Sequence, residues 1–238
     1  GPRRKSFHPE YPFWYLRNNK IWEVQHGGEM ALKKNHREPR IDNIREASGG
    51  FLPEAYEVLE NHPEVLREAA SEILKANFPD SLHDEILGAV GLSREEAGPK
   101  CKNRDPEFRT LVVRAYQHRC AVCGFDVRLG AVDLGLEAAH IQWHQAGGPD
   151  SVDNGLCLCA MHHHLFDRGA FGLTNERQLL VSEEVHGTSG LNEWLLRFEG
   201  QTMKMPQRDS YLPKPEFLHW HRKQVFKSPA REMSKHGG

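Results

Sequence analysis

No run in the chain approaches the ~18 to 20 apolar residues that a membrane span needs, and no charged-then-apolar leader opens it. A soluble, cytoplasmic protein is therefore expected. Cysteine is scarce, five in 238 residues, and two of the five stand as Cys120-x-x-Cys123 while two more lie beside a His cluster. A secreted disulfide scaffold uses more cysteines in a different arrangement, so metal binding in a reducing cytosol is the better account. Excess charge is absent too: 31 Lys and Arg against 33 Asp and Glu give a net charge of -2, which excludes recognition of a polyanion by bulk charge alone.

The distribution of charge says more than its sum. Residues 1–40 hold nine Lys and Arg against four Glu, whereas residues 51–100 hold eleven acids against four bases. A basic opening could meet phosphates, and an acidic helical stretch could face solvent. The 38% apolar content supplies one large core or two modest ones. The chain starts Gly-Pro without an initiator Met, as after tag removal or in a piece of a longer protein.

Phe7 to Leu16 packs aromatics and two prolines into ten residues, which disfavours a helix at its start. Asn18-Asn-Lys reads as a turn and Ile21-Trp-Glu-Val24 as a short strand. Helical spacing follows: Pro63 fits a first helical position, and Val65, Leu66, Ala69, Ala70, Ile73 and Leu74 recur on one face up to Asn77. Ser81 is a candidate cap for a second helix carrying Leu82, Ile86, Leu87 and Val90, with Gly91 as its left-handed stop. Residues 96–104 are polar and contain Gly98-Pro99, as a linker would, and Cys101 there has no partner at metal spacing.

His8-Pro-Glu-Tyr-Pro-Phe-Trp14, with Ile21-Trp-Glu-Val24, Gly49-Gly-Phe51 and the two helices ending Ala89-Val-Gly-Leu92, resembles the C-terminal half of the sulfur-binding domain of type IV restriction enzymes. The resemblance implies recognition of DNA whose backbone carries a phosphorothioate. Sulfur is larger, more polarisable and a poorer acceptor than oxygen, so a cup of aromatic and proline surface favours it while basic groups hold the charge. By this resemblance Tyr11, Pro12 and Tyr15 belong to the cup, with Arg17 among the neighbouring basic residues. The family's further sulfur contacts lie on an upstream helix, and the chain begins after that point.

Asp105-Pro106-Glu107 is a helix start, with the acid as cap and the proline at the first position, and Phe108, Leu111, Val112, Ala115 and Tyr116 form one apolar stripe. Cys120-Ala-Val-Cys123-Gly124 then places two thiols three positions apart, over a glycine that lets the backbone turn beneath an ion. Cys159-x-x-His162 is a second half-site of the same spacing, and the two together specify one tetrahedral zinc. On spacing alone, Cys157 could replace Cys159.

Between the half-sites, Leu134 to Ile141 reads as a strand, and Gln142 to Asp150 as a loop. Glu137-Ala-Ala-His140, Asn154-Gly-Leu, Cys159-x-x-His-His163 and Phe166-Asp-Arg-Gly169 resemble, in order, the elements of the HNH nuclease family, whose ββα-metal site cuts nucleic acid. The family pattern makes Cys159 the zinc ligand, three before His162, and leaves Cys157 as a buried thiol. Phosphodiester hydrolysis needs a base for water and an electrophile for the developing charge. His140 is the natural base, and Asn154, which cannot take a proton, braces the loop that orients it. His163 and Asp167, four apart on a helix, share a face and are assigned one divalent ion, Mg or Mn. His164 points elsewhere, toward phosphate or solvent. Ala139 stands where many HNH sites carry a ligand, and Glu137 is expected on the strand face opposite His140.

Phe171-Gly-Leu and Gln178 to Ser182 read as a closing hairpin, and Leu191 to Phe198 as a short helix. A last helix follows Pro213, with Arg222, Lys223 and Lys227 as phosphate contacts. His219 and His221 diverge by about 200° on that helix and are expected at the surface, and residues 228–238 as a disordered tail.

The expectation is thus an α+β protein: a partial sulfur-binding-like domain over residues 1–95 that is mostly helical with short strands, a linker over 96–104, and a zinc-supported ββα-metal HNH nuclease over 105–238. Its partner would be DNA, phosphorothioate-modified by the resemblance, with a second copy of the chain as a further partner and no membrane. The rival readings are an HNH nuclease of unmodified nucleic acid and a non-catalytic zinc module.

Overall fold

The computed structural model describes residues 14–25, 44–92 and 106–231. Tyr11, Pro12, Cys101, Asp105 and the 96–104 stretch, to which the sequence assigned roles, lie outside them. The chain divides into two compact units, Gly1–Ala69 and Ala70–Gly238.

In the first unit a 3-10 turn over Leu16–Asn19 is closed by Lys20 in a left-handed conformation, φ 58. Strand β1, Trp22–Gln25, follows and pairs antiparallel with β2, Ser48–Phe51, where Trp22 and Phe51 meet edge to face at 5.5 Å. Helix α1 spans Pro53–Asn61. Pro53 starts it just as Pro63 starts helix α2, Pro63–Asn77, because a proline at a first helical position loses no hydrogen bond. Both helices are largely exposed, in keeping with their acidic sequence.

The second unit begins within α2. Helix α3, Asp80–Ala89, packs Leu87 on Leu74, and Gly91 ends it at φ 74 as expected. Its N-cap is Pro79, in extended conformation and without a side-chain cap, rather than Ser81. Ser81 sits inside the helix because Pro79 already forces the chain to turn there, and its hydroxyl is used elsewhere.

Helix α4, Pro106–Ala115, lies against strands β5, Leu136–His140, and β6, Gly155–Cys159. A small hairpin, β3 Arg128–Leu129 with β4 Val132–Asp133, precedes β5. Strands β5 and β6 are antiparallel, with Leu136 opposite Cys159 and His140 opposite Gly155, and helix α5, Ala160–Asp167, follows β6 without a loop. Every residue of β6 is buried. Gly155 is required there, since a Cβ would stand 2.4 Å from Val112 Cγ2. Strands β7, Phe171–Leu173, and β8, Leu179–Val181, form the closing hairpin.

The core joins Val112 of α4 and Tyr116 just after it, Leu136 and Ala139 of β5, Leu156 and Leu158 of β6, Phe166 of α5 and Phe171 of β7. Helix α6, Ser189–Trp194, and a 3-10 turn at Leu196–Phe198 replace the single helix expected there. Helix α7, Pro215–Gln224, corrects a surface assignment: His219 is exposed, but His221 is only 1% exposed. Its ring stacks on Phe166 at 3.7 Å and its Nε2–H donates to the Phe166 carbonyl at 3.1 Å. Residues 228–231, expected in a disordered tail, are placed instead: Ala230 bridges to Ser182 and the Arg231 N–H donates to the Val181 carbonyl at 2.8 Å. Arg222 is occupied within the fold, donating to the Leu173 carbonyl and to Asn175 Oδ1, both at 2.6 Å.

Candidate active site

Two separate clusters emerge from the His and Cys residues of β5, β6 and α5. In the first, Cys120 and Cys123 come from the turn after α4, Cys159 from the end of β6 and His162 from the first turn of α5. Their donor atoms all lie within 4.8 Å of one another. Cys123 Sγ and Cys159 Sγ are 3.9 Å apart, and Cys120 Sγ is 3.7 Å from His162 Nδ1. These are close to the edges of a tetrahedron with Zn–S of about 2.3 Å and Zn–N of about 2.0–2.1 Å. Gly124 turns the backbone beneath the thiols at φ 79. His162 Nε2–H donates to the Trp194 carbonyl at 2.8 Å, which aims Nδ1 at the sulfurs.

The electrostatics of this quartet ask for a cation. Hydrogen bonds from Cys123 and Cys159 hold the Cys120 thiol far below its usual range, while Cys120, Cys123 and burial push Cys159 up. Burial opposes charge on His162, yet Cys120 and Cys123 raise it to about 10. Three thiolates cannot share so small a buried space without positive charge, and the donor set fits a structural zinc. Cys157, whose thiol burial pushes up to about 12, is outside the quartet.

The second cluster holds the remaining residues. His140, at the end of β5, is stacked on Phe108 at 4.1 Å with the rings 15° apart, and its Nε2–H donates to Asp150 Oδ1 at 2.7 Å. Asn154 is fully buried. Its Oδ1 accepts from the Gln142 N–H at 2.9 Å, and its Nδ2 donates to the carbonyls of Gln142 at 3.0 Å and Pro149 at 2.9 Å. The amide thus closes the loop between His140 and Asp150.

His163 and Asp167 share one face of α5, with Nε2 and Oδ2 3.2 Å apart and both residues 3% exposed. His163 Nδ1–H donates to the Glu137 carboxylate, and Ser81 Oγ–H donates to Asp167 Oδ2. With Nδ1 so engaged, Nε2 and Oδ2 are two electron-rich atoms that need a positive charge between them. Burial opposes a charged ring, but Asp167 and Glu137 outweigh it and raise His163 to about 9. A divalent ion bound at about 2.0–2.1 Å to each atom would satisfy the same spacing. His164 lies outside this pair, exposed, with Arg168 Nη1 3.1 Å from its Nδ1.

His140, Asp150, His163 and Asp167 border one cavity of about 450 Å³, with Lys75 and Asp80 on its other wall. Sequence spacing had found His140, Asn154, His163 and Asp167, but not Asp150 or Ser81. It had placed Glu137 on the strand face away from His140, and the Glu137 carboxylate meets His163 Nδ1. Tyr15 and Arg17 fall among the described residues of the first unit: Tyr15 is exposed, and the Arg17 guanidinium lies 3.5 Å over the Trp14 ring.

An antiparallel strand pair running straight into a helix, with an imidazole on the first strand and a His/Asp pair on the helix, is the ββα-metal arrangement of HNH nucleases. Residues 120–174 match the family model described as HNH endonuclease, and residues 1–95 match that described as ScoMcrA-like, DNA sulfur-binding domain. The chain therefore joins a DNA sulfur-binding segment to an HNH endonuclease domain. No curated protein matches it. Among solved structures, one titled "Modification dependent TagI restriction endonuclease" is 27% identical, covering 54% of this chain and 41% of that one with a TM-score of 0.37. The chain thus spans less than half the length of that protein. Among the described residues, no helix is long and apolar enough to cross a membrane.

Proposed function

We propose that the chain is a metal-dependent DNA endonuclease of the restriction kind, directed at phosphorothioate-modified duplex. The observation that carries the reading is the division of the His and Cys residues into two sets. One set closes a tetrahedral quartet, which leaves His140, His163 and Asp167 together on an open cavity.

In this reading His140 is the general base. With Nε2–H held by Asp150, the ring's lone pair resides on Nδ1, which takes a proton from water as it attacks phosphorus. Phe108 fixes the plane of that ring and Asn154 fixes the loop carrying Asp150, so neither residue exchanges a proton. His163 Nε2 and Asp167 Oδ2 would hold a divalent ion, Mg or Mn, and Glu137 keeps the neutral His163 in the tautomer that presents Nε2. Such an ion, held by His163 and Asp167, would supply positive charge opposite the phosphate and the departing 3′ oxygen. Cys120, Cys123, Cys159 and His162 would hold a structural zinc.

The match of residues 1–95 to a DNA sulfur-binding domain supports modified DNA as the target. On that basis Tyr11, Pro12, Tyr15 and Arg17 are proposed at the sulfur, with a recognition domain over 1–95 and a nuclease domain over 105–238. The test is cleavage of matched duplexes, with and without one phosphorothioate, in Mg and in Mn. Preferential cutting of the modified duplex supports the reading. Equal rates would make the enzyme a nuclease of ordinary DNA, and no cutting with any divalent ion would reduce it to a zinc-containing binding module.

A further inference from the structure

The Asp167 carboxylate has a partner that no HNH element supplies. Ser81 belongs to α3, within the residues matched by the DNA sulfur-binding model and 86 positions before Asp167, and its hydroxyl donates to Oδ2. That is the same oxygen that faces His163 Nε2.

Ser81 is held there from two sides. On the α5 side, Arg168 Nη2 donates to the Ser81 carbonyl at 3.1 Å, and its Nε donates to Glu85 Oε2 at 2.6 Å. On the loop side, Gln145 Nε2 donates to the Phe78 carbonyl at 3.1 Å, one turn before Ser81. Inside α3, His83 is buried and its Nε2–H donates to that same Phe78 carbonyl at 2.9 Å. The helix start is thereby pinned to both the metal-ligand helix and the loop that carries Asp150. A serine near a helix start ordinarily caps its own helix. This one lies one residue inside the helix that Pro79 begins, and its hydroxyl turns to Asp167 instead.

We propose that Ser81 is a positioning residue of the nuclease centre, fixing the Asp167 carboxylate in the orientation that binds the catalytic ion. A buried carboxylate rotates about its last bond unless its oxygens are held, and a ligand held in place binds an ion more tightly than one that must first be oriented. The proposal rests on the reading of His163 and Asp167 as ligands. It makes α3, which lies in the same compact unit as α5, part of the nuclease centre. A change in how α3 sits is then felt at the metal.

The test uses the full chain loaded with one equivalent of zinc. Mn²⁺ affinity without DNA, kcat and KM for a modified duplex, and the melting temperature are measured for Ser81→Ala, Ser81→Thr and Asp167→Ala. Ser81→Ala is expected to weaken Mn²⁺ binding by about 10- to 100-fold, as loss of a ligand's hydrogen-bond partner does. At subsaturating Mn²⁺ its kcat falls while KM for DNA stays unchanged. Ser81→Thr, which keeps the hydroxyl, restores both, even if Ser81→Ala melts earlier. Wild-type Mn²⁺ affinity in Ser81→Ala, with binding lost in Asp167→Ala, overturns the proposal. Wild-type affinity in Asp167→Ala as well shows that the ligand assignment beneath it has failed.

Discussion

His140 Nε2 stands 2.7 Å from Asp150 Oδ1, across a loop that the Asn154 side chain closes with three hydrogen bonds. A base held in this way depends on its partner for orientation more than for reactivity. His140→Ala should abolish cleavage while DNA binding in a gel-shift assay stays within about twofold, since one exposed-edge imidazole adds little to a phosphate-dominated affinity. Asp150→Asn keeps a hydrogen-bonding group in place and should lower kcat by about 10- to 100-fold without raising KM. Cleavage by His140→Ala at the wild-type rate would remove His140 from the role of base.

Asn154 is a framework residue by this account, and its loss should show in stability. Asn154→Ala removes a fully buried side chain and its three bonds to the part-buried Gln142 N–H and two carbonyls, a loss of about 1–3 kcal/mol. Urea unfolding should show a drop of that order, with cleavage lost in parallel because Asp150 no longer meets His140. Gly148→Ala should do the same by a different route. Its Cβ would stand 1.9 Å from the Gln142 carbonyl oxygen and 2.9 Å from Asn154 Nδ2, so the loop must open. An active and fully stable Gly148→Ala enzyme would show that the loop does not set the base.

Zinc should decide whether the second unit folds. Structural zinc binding contributes about 10–16 kcal/mol in small zinc modules, against about 5–15 kcal/mol of net stability for a typical domain. Cys123→Ser, or a strong chelator at neutral pH, should therefore abolish the cooperative melting of the nuclease domain. Metal analysis of the wild type should find one zinc per chain, and a chelated protein that melts as before would dismiss the quartet as a zinc site.

How far these residues were legible depends on how far apart in sequence they act. Two half-sites of three-residue spacing identified the Cys/His quartet, and the step of four from His163 to Asp167 put both on one helix face. Both signals lie within a turn or a helix. The partners Asp150, Glu137 and Ser81 reach His140, His163 and Asp167 from 10, 26 and 86 positions away. No local period reports such contacts. Tertiary docking makes them, through the β5–β6 register and the placement of α3. His221 is a different failure, because its signal was present. Phe217, His221 and Val225 recur every four positions with Leu218 beside them, so His221 belongs to the apolar stripe of α7, whereas the divergence of His219 and His221 had put both at the surface.

The burial of His221 yields a pH prediction with a definite sign. Burial depresses its pKa from 6.5 to about 4, despite the Phe166 carbonyl at Nε2 and the nearby Asp167. The unfolded chain thus binds a proton here at a pH where the folded chain does not. Stability from this group is complete above about pH 6.5 and is lost as pH falls toward about 4, a difference on the order of 3 kcal/mol. His221→Phe keeps the stack on Phe166 but loses the bond to its carbonyl, costing about 1 kcal/mol at neutral pH. Since phenylalanine cannot take a proton, the variant escapes the acid loss. Urea melts of the two proteins should therefore cross: wild type more stable at pH 7, and His221→Phe more stable below about pH 5.5. Parallel curves from pH 7 to pH 4.5 would mean that His221 is protonated in the folded chain, with its ring no longer held neutral against Phe166.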